Sequence, residues 1–326
     1  MKPRLLITGG AGFIGSVLTS YLIDNGYSVV VVDDLSTGHI SQIDNRAKLI
    51  KASILDKSLL TEALTGIDVV IHCAGKSLVE ESVKNPALYS EINTTGTKIL
   101  LESMARSSVR KVIFSSTAAV YGEVELQPIS ENSSINPSNP YGQSKRDAEI
   151  LISDFCQKGF AGITFRYFNV GGSYQNSNGE LFYENHQNET HLIPKIMKNF
   201  FLQTKKYQVE IYGNNWPTQD GSCIRDYLHV KDLARAHLLA LSSLEYEENK
   251  VFNLGSGIGY SVFDILGEIE MILDAKLNYV ISKPRDGDPA VLLASIVKAK
   301  NDLGWEPESN LGEIIFDSWQ GVKQLG

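Results

Sequence analysis

The chain has 326 residues, enough for one large α/β unit or two lobes with substantial cores. Its formal net charge is −8 and no basic cluster breaks it, which argues against nucleic acid and anionic membrane surfaces as partners. Cys73, Cys156 and Cys223 are far apart and in no metal-ligand spacing, so free thiols in a reducing cytoplasm are expected and a metal is not.

Met1 to Arg4 lead straight into a strand pattern without signal-peptide character, and no apolar run approaches a membrane span. Leu5-Leu6-Ile7 reads as a buried strand, followed by a Gly-rich turn and a helix from Phe13 to about Asn25, stopped by Gly26. Ser28 to Val32 forms a second strand running into Asp33. Further strands are expected at Ala47–Lys51, Asp68–His72, Lys111–Ser116 and Gly162–Arg166, with helices at Ser58–Leu64, Pro86–Met104 and Tyr141–Gln157. Continuous apolar strands alternating with helices imply an α/β fold with a parallel sheet covered on both faces. The texture changes after Arg166. Gly171 to Glu189 reads as a long loop, then helices are expected at Leu192–Leu202, Val230–Leu244 and Ser261–Leu273, with strands at Val209–Tyr212 and Val251–Leu254. A lobe boundary near residue 168 divides a first domain, 1–167, from a second lobe, 168–326, some segments of which return to the first domain.

Thr8-Gly9-Gly10-Ala11-Gly12-Phe13-Ile14-Gly15 lies between the first strand and the first helix. Gly9 permits the tight turn, Gly12 lets a pyrophosphate reach the backbone, and Gly15 allows close helix–strand packing. The helix N-terminus adds free N–H groups and the positive end of the helix dipole. Asp33 closes the second strand 18 residues after Gly15. A carboxylate there accepts from ribose hydroxyls and repels a 2′-phosphate, which favours NAD over NADP.

Tyr141 and Lys145 are four apart on a predicted helix, so phenol and ammonium share a face one turn apart. An ammonium beside a phenol stabilises phenolate, and a shift of about three units towards neutrality is worth roughly 4 kcal/mol. A phenol tuned this way can take and return the proton of a hydroxyl, and Thr117 stands upstream as a further hydroxyl. His72, at a strand end, reads as a satisfied structural residue, while Asn93 suits either backbone binding or the cofactor pocket.

These residues together resemble the extended short-chain dehydrogenase/reductase family, and within it the UDP-glucose 4-epimerases. The resemblance runs from Arg4 to about Trp319. It is carried by the Gly-rich turn, Val70-Ile71-His72-Cys73-Ala74-Gly75, Glu81-Ser82-Val83, Ile92-Asn93-Thr94-Thr95-Gly96-Thr97, and Phe114-Ser115-Ser116-Thr117-Ala118-Ala119-Val120-Tyr121-Gly122. The Tyr141/Lys145 pair, Arg166-Tyr167-Phe168-Asn169, Tyr212-Gly213-Asn214, Pro217 to Gly221, Ile224 to Val230, Asn253-Leu254-Gly255 and Arg285 to Ala290 continue it in order.

The resemblance implies a Rossmann-type doubly wound sheet with a smaller C-terminal substrate-binding lobe, a homodimer pairing through Pro86–Met104 and Tyr141–Gln157, and reversible oxidation at carbon 4 of a UDP-hexose. Tyr141, Lys145 and Thr117 would be catalytic, with Thr117 replacing the family's usual serine. The NAD contacts it implies are Gly9, Gly12, Phe13, Ile14 and Gly15; Asp33, Asp34, Leu35 and Ser36; Ser53 and Ile54; Cys73, Ala74, Gly75 and Lys76; and Asn93, Tyr141, Lys145 and Phe168. The substrate contacts it implies are Thr117, Tyr141, Asn169, His191, Leu192, Tyr212, Arg225, Arg285, Asp288 and Val291, with Arg225 suited to the pyrophosphate.

Several positions depart from the family pattern. Ser53 replaces an aspartate that reaches the adenine, Lys76-Ser77 reverses the usual apolar–lysine order, His191 replaces an asparagine, and Ser295 replaces an aspartate. Val291 stands where some members carry a tyrosine, which leaves room at carbon 2 for UDP-N-acetylglucosamine. Three competing readings follow. A 4,6-dehydratase would need an Asp-Glu pair after Thr117, where this chain has Ala118 and Ala119. A UDP-uronic-acid epimerase differs only in pocket detail, and a non-catalytic NAD sensor would lack the Tyr/Lys pair.

Overall fold

The computed structural model describes residues 2–186, 189–203, 207–246, 248–285 and 288–325. Asp286 and Gly287 of the quoted Arg285–Ala290 motif lie outside the described residues, as do Gln187 and Asn188 of the expected loop.

Leu5 and Ile7 pack in one apolar cluster and Leu6 in another, because successive strand residues point to opposite faces. Both faces of the strand Arg4–Thr8 (β1) are therefore covered, as a parallel strand requires. Ser28–Asp33 (β2), Lys48–Lys51 (β3), Val69–His72 (β4), Lys111–Thr117 (β5) and Ala161–Tyr167 (β6) join it, and the strand Glu248–Leu254 completes seven. All pair in parallel, in the order β3, β2, β1, β4, β5, β6, then Glu248–Leu254. The order reverses between β1 and β4, and in doubly wound sheets a ligand sits beyond the strand ends at that switch.

Two layers of helices close the sheet. Phe13–Asp24 (α1) buries Val17, Leu18 and Leu22 against one face, together with Leu233 and Ala236 of the helix Val230–Ala240. Lys57–Ala63 (α2) covers the other face, and its first turn is capped by Asp56, whose carboxylate accepts from the N–H groups of Ser58 and Leu59. Leu100 and Met104, and Ile152 and Phe155, complete that second face. Truncating one such fully buried leucine to alanine costs about 2–5 kcal/mol.

The helix expected over Pro86–Met104 is three pieces. Val79–Lys84 (α3) leads into Pro86–Tyr89 (α4), a π-helical turn spans Ser90–Thr95, and Gly96–Arg106 (α5) follows. Inside the wide turn, the Asn93 side chain accepts the Lys76 N–H at 2.7 Å and donates to the Lys76 carbonyl and to Ser144 Oγ. Such turns recur where a side chain must be presented out of register. Pro140–Cys156 (α6) starts with Pro140 in its first turn and with Asn139 Oδ1 accepting the Gly142 N–H at 2.9 Å.

The expected loop over Gly171–Glu189 contains a hairpin, Ser173–Gln175 against Leu181–Tyr183. Asn176 Oδ1 accepts the N–H groups of Asn178 and Glu180, and Gly179 takes φ 84°, so a polar Asn-Gly turn closes two short strands. The second lobe pairs Ile224–His229 with Asn169–Gly171, Gly259–Ser261 and Val291–Leu292. Beside it, the helix Leu192–Phe201 (α7) shares a core with Val262–Leu273 and Leu311–Val322.

Candidate active site

Three strand ends meet at the switch point, and each delivers a turn. After β1, Gly9 adopts φ 73° with the β4 end so close that an added Cβ would lie 2.6 Å from the Ala74 nitrogen. A Cβ on Gly15 would fall 2.1 Å from the Gly9 carbonyl oxygen. Gly12 is different: a Cβ there meets only the Gly9 oxygen, at 3.5 Å, so its bareness keeps the turn open rather than letting it pack. Gly12 caps α1 without any side-chain bond, and among the described residues the Phe13 and Ile14 N–H groups have no protein acceptor. Unpaired N–H groups at a helix N-terminus suit an anionic diphosphate.

Asp33 ends β2 beside this turn. Its carboxylate accepts the Ala11 N–H at 2.9 Å and the Leu35 N–H at 2.8 Å, and it is nearly fully buried. Burial pushes its pKa up, and the two N–H groups pull it part of the way back. Leu35 takes φ 61° in the turn that follows, where Asp34 accepts the Ser36 N–H. Ser53 Oγ accepts the Leu55 N–H at 3.2 Å and so shapes its own loop. Ile54 is buried against Gly96, where a Cβ would come within 2.7 Å of it.

Beyond β4, Cys73 accepts a hydrogen bond from Ser115 Oγ, and burial pushes its thiol up to about 11. Ala74 donates its N–H to Thr8 Oγ1 at 3.3 Å. At Gly75 a Cβ would stand 2.9 Å from Asn93 Oδ1 and 3.4 Å from Lys145 Nζ, so Gly75, Asn93 and Lys145 converge. The Asn93 amide is occupied by Lys76 and Ser144, which makes it a brace between this loop and α6. Lys76 contributes its backbone to that brace. His72 is bonded at both ring nitrogens, to Thr8 and Thr97, and burial lowers it to about 3.

Tyr141 and Lys145 stand on the first turns of α6, facing Thr117 at the end of β5. Thr117 Oγ1 accepts the Ala119 N–H at 3.1 Å, and its hydroxyl lies close enough to the Tyr141 phenol to lower the phenol's pKa. The Tyr89 ring meets the Tyr141 ring edge-on, with centroids 6.3 Å apart. Lys145 Nζ donates to the Ser115 carbonyl oxygen at 2.9 Å. The expected electrostatics need correcting here. Burial pushes the Tyr141 phenol above its ordinary pKa of 10, Thr117 opposes this, and Lys145 is not among the groups that set the value. Burial also pulls the Lys145 ammonium down to about 8, partly offset by Cys73 and Glu149. Helical spacing places the two groups on one face, but the protein alone leaves the phenol protonated because desolvation outweighs the opposing Thr117 hydroxyl. Phe168 is buried nearby, among Ala118, Val120 and Tyr121.

In the second lobe, Asn169 pairs with the buried Tyr227 across two parallel strands, and its side chain offsets part of the rise that burial causes in the Tyr227 pKa. Arg225 Nη1 donates to the carbonyls of Ile224 and Pro289 at 2.9 and 2.8 Å, while its Nη2 stands 3.8 Å from Asp288. The Arg285 guanidinium lies over the Tyr212 ring at 3.8 Å and reaches 3.7 Å from Glu80 of the first lobe. Val291 pairs with Ile224, and its carbonyl accepts from Gln127 Nε2. Leu192 opens α7. His191 precedes it with Nδ1 only 2.5 Å from Glu184, whose charge above all holds the imidazole well above its usual pKa. The His191 ring is therefore engaged with carboxylates.

Sequence reasoning did not single out three groups that hold this site. The Ser115 carbonyl holds Lys145, Ser144 holds Asn93, and Glu149 accepts from Ser116 Oγ and pairs with Arg166 at 2.7 Å behind the catalytic helix. Glu149 lies one turn beyond Lys145 on α6, a spacing that could have found it.

Comparison with known proteins places this geometry. The model of the NAD dependent epimerase/dehydratase family matches residues 5–255. The chain is similar to a UDP-glucose 4-epimerase of Corynebacterium glutamicum, 39% identical over 99% of this chain and 97% of that protein. It is similar to the structure of a UDP-glucose 4-epimerase from Brucella ovis in complex with NAD, at TM-score 0.92 and 37% identity over 98% of each chain. A third likeness is to a UDP-glucose 4-epimerase from Bifidobacterium longum in complex with NAD+ and UDP. There the TM-score is 0.91 and identity 32%, over 98% of this chain and 99% of that one.

Proposed function

The chain belongs to the NAD-dependent epimerase/dehydratase family, and from that premise we infer that it is an isomerase interconverting UDP-glucose and UDP-galactose with NAD as its cofactor. The observation that carries this reading is the meeting of Tyr141, Thr117 and Lys145 at the end of β5, beside the open Gly9–Gly12 turn.

The site fits the cofactor. Two unpaired N–H groups at the start of α1 suit its diphosphate, and the Asp33 carboxylate at the end of β2 suits a ribose diol and disfavours a 2′-phosphate. Gly75 and Lys145 flank the nicotinamide side in this reading, with Asn93 as the brace behind them. Bound NAD supplies the acceptor, and later the donor, of the carbon-4 hydride, and its oxidised ring adds the positive charge that favours a phenolate.

Tyr141 takes the proton of the sugar 4-hydroxyl as that carbon is oxidised, and returns it when the 4-keto sugar is reduced on its opposite face. Thr117 holds the 4-oxygen and the phenol together. Lys145 contributes charge, positioned by the Ser115 carbonyl. Arg225 neutralises the UDP diphosphate, Arg285 and Tyr212 flank the nucleotide end, and Asp288 and Asn169 complete the contacts. Residues 1–167 serve mainly the cofactor and residues 168–326 mainly the nucleotide sugar. Ala118 and Ala119 after Thr117 leave no acid for eliminating water, which separates this reading from a dehydratase.

Among the described residues no helix is long and apolar enough to cross a membrane. We further propose a cytoplasmic homodimer pairing through Pro86–Met104 and Tyr141–Gln157, where α6 leaves the apolar Ile150 exposed between Gln143 and Asp154. Purified protein given UDP-galactose without added NAD tests the assignment: the reading requires UDP-glucose to form.

A further inference from the structure

Four side chains outside the catalytic pocket converge where the hairpin strand Leu181–Tyr183 hands over to α7. They are Glu184, His186, Glu189 and His191, and one ligand atom from each lies within 4.8 Å of every other. We propose that this quartet is a structural zinc site.

The donor set is two imidazole nitrogens and two carboxylate oxygens, which suits a tetrahedral Zn²⁺ better than calcium or magnesium, whose sites are built from oxygen. Bonds of about 2.0–2.1 Å to a tetrahedral ion put neighbouring ligand atoms about 3.3–3.4 Å apart. His186 Nδ1 is 3.2 Å from Glu184 Oε1 and 3.4 Å from Glu189 Oε2, and His191 Nδ1 is 3.3 Å from Glu189 Oε1. The first two are already edges of such a tetrahedron, while the third runs to the other oxygen of Glu189, so a small rotation of that carboxylate brings a single oxygen to the ion. The remaining imidazole–carboxylate separation, 2.5 Å from His191 Nδ1 to Glu184 Oε1, is a hydrogen-bond distance that opens by about 0.8 Å to admit an ion of that geometry.

Two features of the quartet point to an ion. Both carboxylate side chains are only 7% exposed, and among the described residues no lysine or arginine lies within ion-pair distance of either. Buried charges are paired or coordinate metals. Secondly, His186 Nδ1 is itself buried and has no hydrogen-bond partner, although it points at both carboxylates. A metal satisfies that nitrogen and both anions together, leaving two neutral imidazoles and two carboxylates around one dication. Outer contacts hold the ligands: Glu189 Oε1 accepts the His191 N–H at 2.9 Å, and Lys198 Nζ donates to the His186 carbonyl.

Four protein ligands leave no open position, which marks the site as structural rather than catalytic. The hairpin on one side is tied to the sheet domain, where Gln42 Oε1 accepts the Tyr183 N–H. On the other side, α7 buries Ile193, Ile196 and Met197 in the core of the second lobe. An ion between them fastens the start of α7, and Leu192 with it, to the cofactor half. The inference stands apart from the epimerase reading: of the residues that reading expects at the substrate, only His191 is a ligand here, and Leu192 merely follows it.

The test uses the untagged full chain. Elemental analysis after gel filtration should give one zinc per chain, and the chelator-stripped protein, titrated with Zn²⁺ against a chromophoric indicator, should bind one equivalent at sub-micromolar Kd. His186→Ala should weaken that binding by at least 10²-fold. Zinc should raise the Tm of the stripped wild type and leave that of a folded His186→Ala unchanged. Should the variant not fold, Co²⁺ added to the stripped wild type decides alone, since intense tetrahedral visible bands support the site. No stoichiometric zinc in the wild type, equal affinity in the variant, or a weak octahedral cobalt spectrum would each overturn the proposal and leave the quartet as a plain ion-pair cluster.

Discussion

The Lys145 ammonium donates to the Ser115 carbonyl oxygen across 2.9 Å, tying the first turns of α6 to β5 two residues before Thr117. That bond places a buried cation beside the phenol at the expense of its own solvation, which pulls Lys145 down to about 8. A folded value below the ordinary 10.5 means that the unfolded chain binds the proton more tightly between about pH 8 and 10.5. The resulting stability is present above 10.5 and lost as pH falls through 8.

Lys145→Met should therefore abolish turnover while leaving the cofactor-free protein as stable as the wild type, or more so, at pH 7. Two contributions oppose each other: relief of the buried charge, a few kcal/mol, and the Ser115 carbonyl left unpaired, about 1–3 kcal/mol. Urea unfolding of both proteins at pH 7 and pH 10 checks this. The wild type should gain on the variant as pH rises, and a variant far less stable at pH 7 would show the lysine to be a net stabiliser.

The Gly-rich turn separates packing from binding. Gly15→Ala collides with the Gly9 carbonyl and should disrupt the β1–α1 unit, whereas Gly12→Ala meets only one atom, at 3.5 Å. Gly12→Ala should fold with stability within about 1 kcal/mol of wild type and yet purify with little NAD. Absorbance of released cofactor and a melting curve read the two effects independently. Full NAD retention would show that the diphosphate does not approach Gly12.

Acid stability should depend on two histidines that burial keeps neutral. His72 is lowered to about 3 between Thr8 and Thr97, and His237 to about 4 between Tyr167 and Leu233. Each contributes stability that is present above pH 6.5 and lost as pH falls towards its folded value, with a slope of about 1.4 kcal/mol per pH unit. Replacing His237 with asparagine should flatten the stability profile between pH 6.5 and 4 by about that amount. An unchanged slope would mean that the imidazole charges without difficulty in the native protein.

The resemblance sets Val291 beside carbon 2 of the sugar, and from that place it would decide which sugars fit. Its short side chain sits on the strand edge opposite Ile224, near Gln127. The wild type should turn over UDP-N-acetylglucosamine as well as UDP-glucose, and Val291→Tyr should cut kcat/KM for the acetylated sugar at least 10-fold more than for the plain one. No turnover of the acetylated sugar by the wild type would reject the wider pocket.

The sheet and the cofactor turn were legible because their signals are local. Leu5-Leu6-Ile7, the glycines, Asp33 and the Tyr141/Lys145 spacing each state their geometry within a few residues. What escaped depends on distant partners or on backbone atoms. The Ser115 carbonyl has no side-chain signature, so the lysine's partner could not be read, and with it the balance that leaves Tyr141 protonated. The turn at Ser90–Thr95 widens around Asn93 because Lys76 and Ser144 claim that amide, and both lie far away in sequence. Asn178-Gly179 was a local signal for the hairpin, masked because each flanking strand is only three residues long, too short to show alternation. His191 was read by its place in a motif, and only the fold sets it against Glu184.

The central claim is that Tyr141 carries the proton of the sugar 4-hydroxyl beside a resident cofactor, and the direct measurement is conversion of UDP-galactose by Tyr141→Phe without added NAD. The wild type should form UDP-glucose, and the variant, carrying the same NAD per chain, should be slower by about 10²–10⁴-fold. A variant that matches the wild-type rate, or an NAD-loaded wild type that leaves UDP-galactose unchanged, would contradict it.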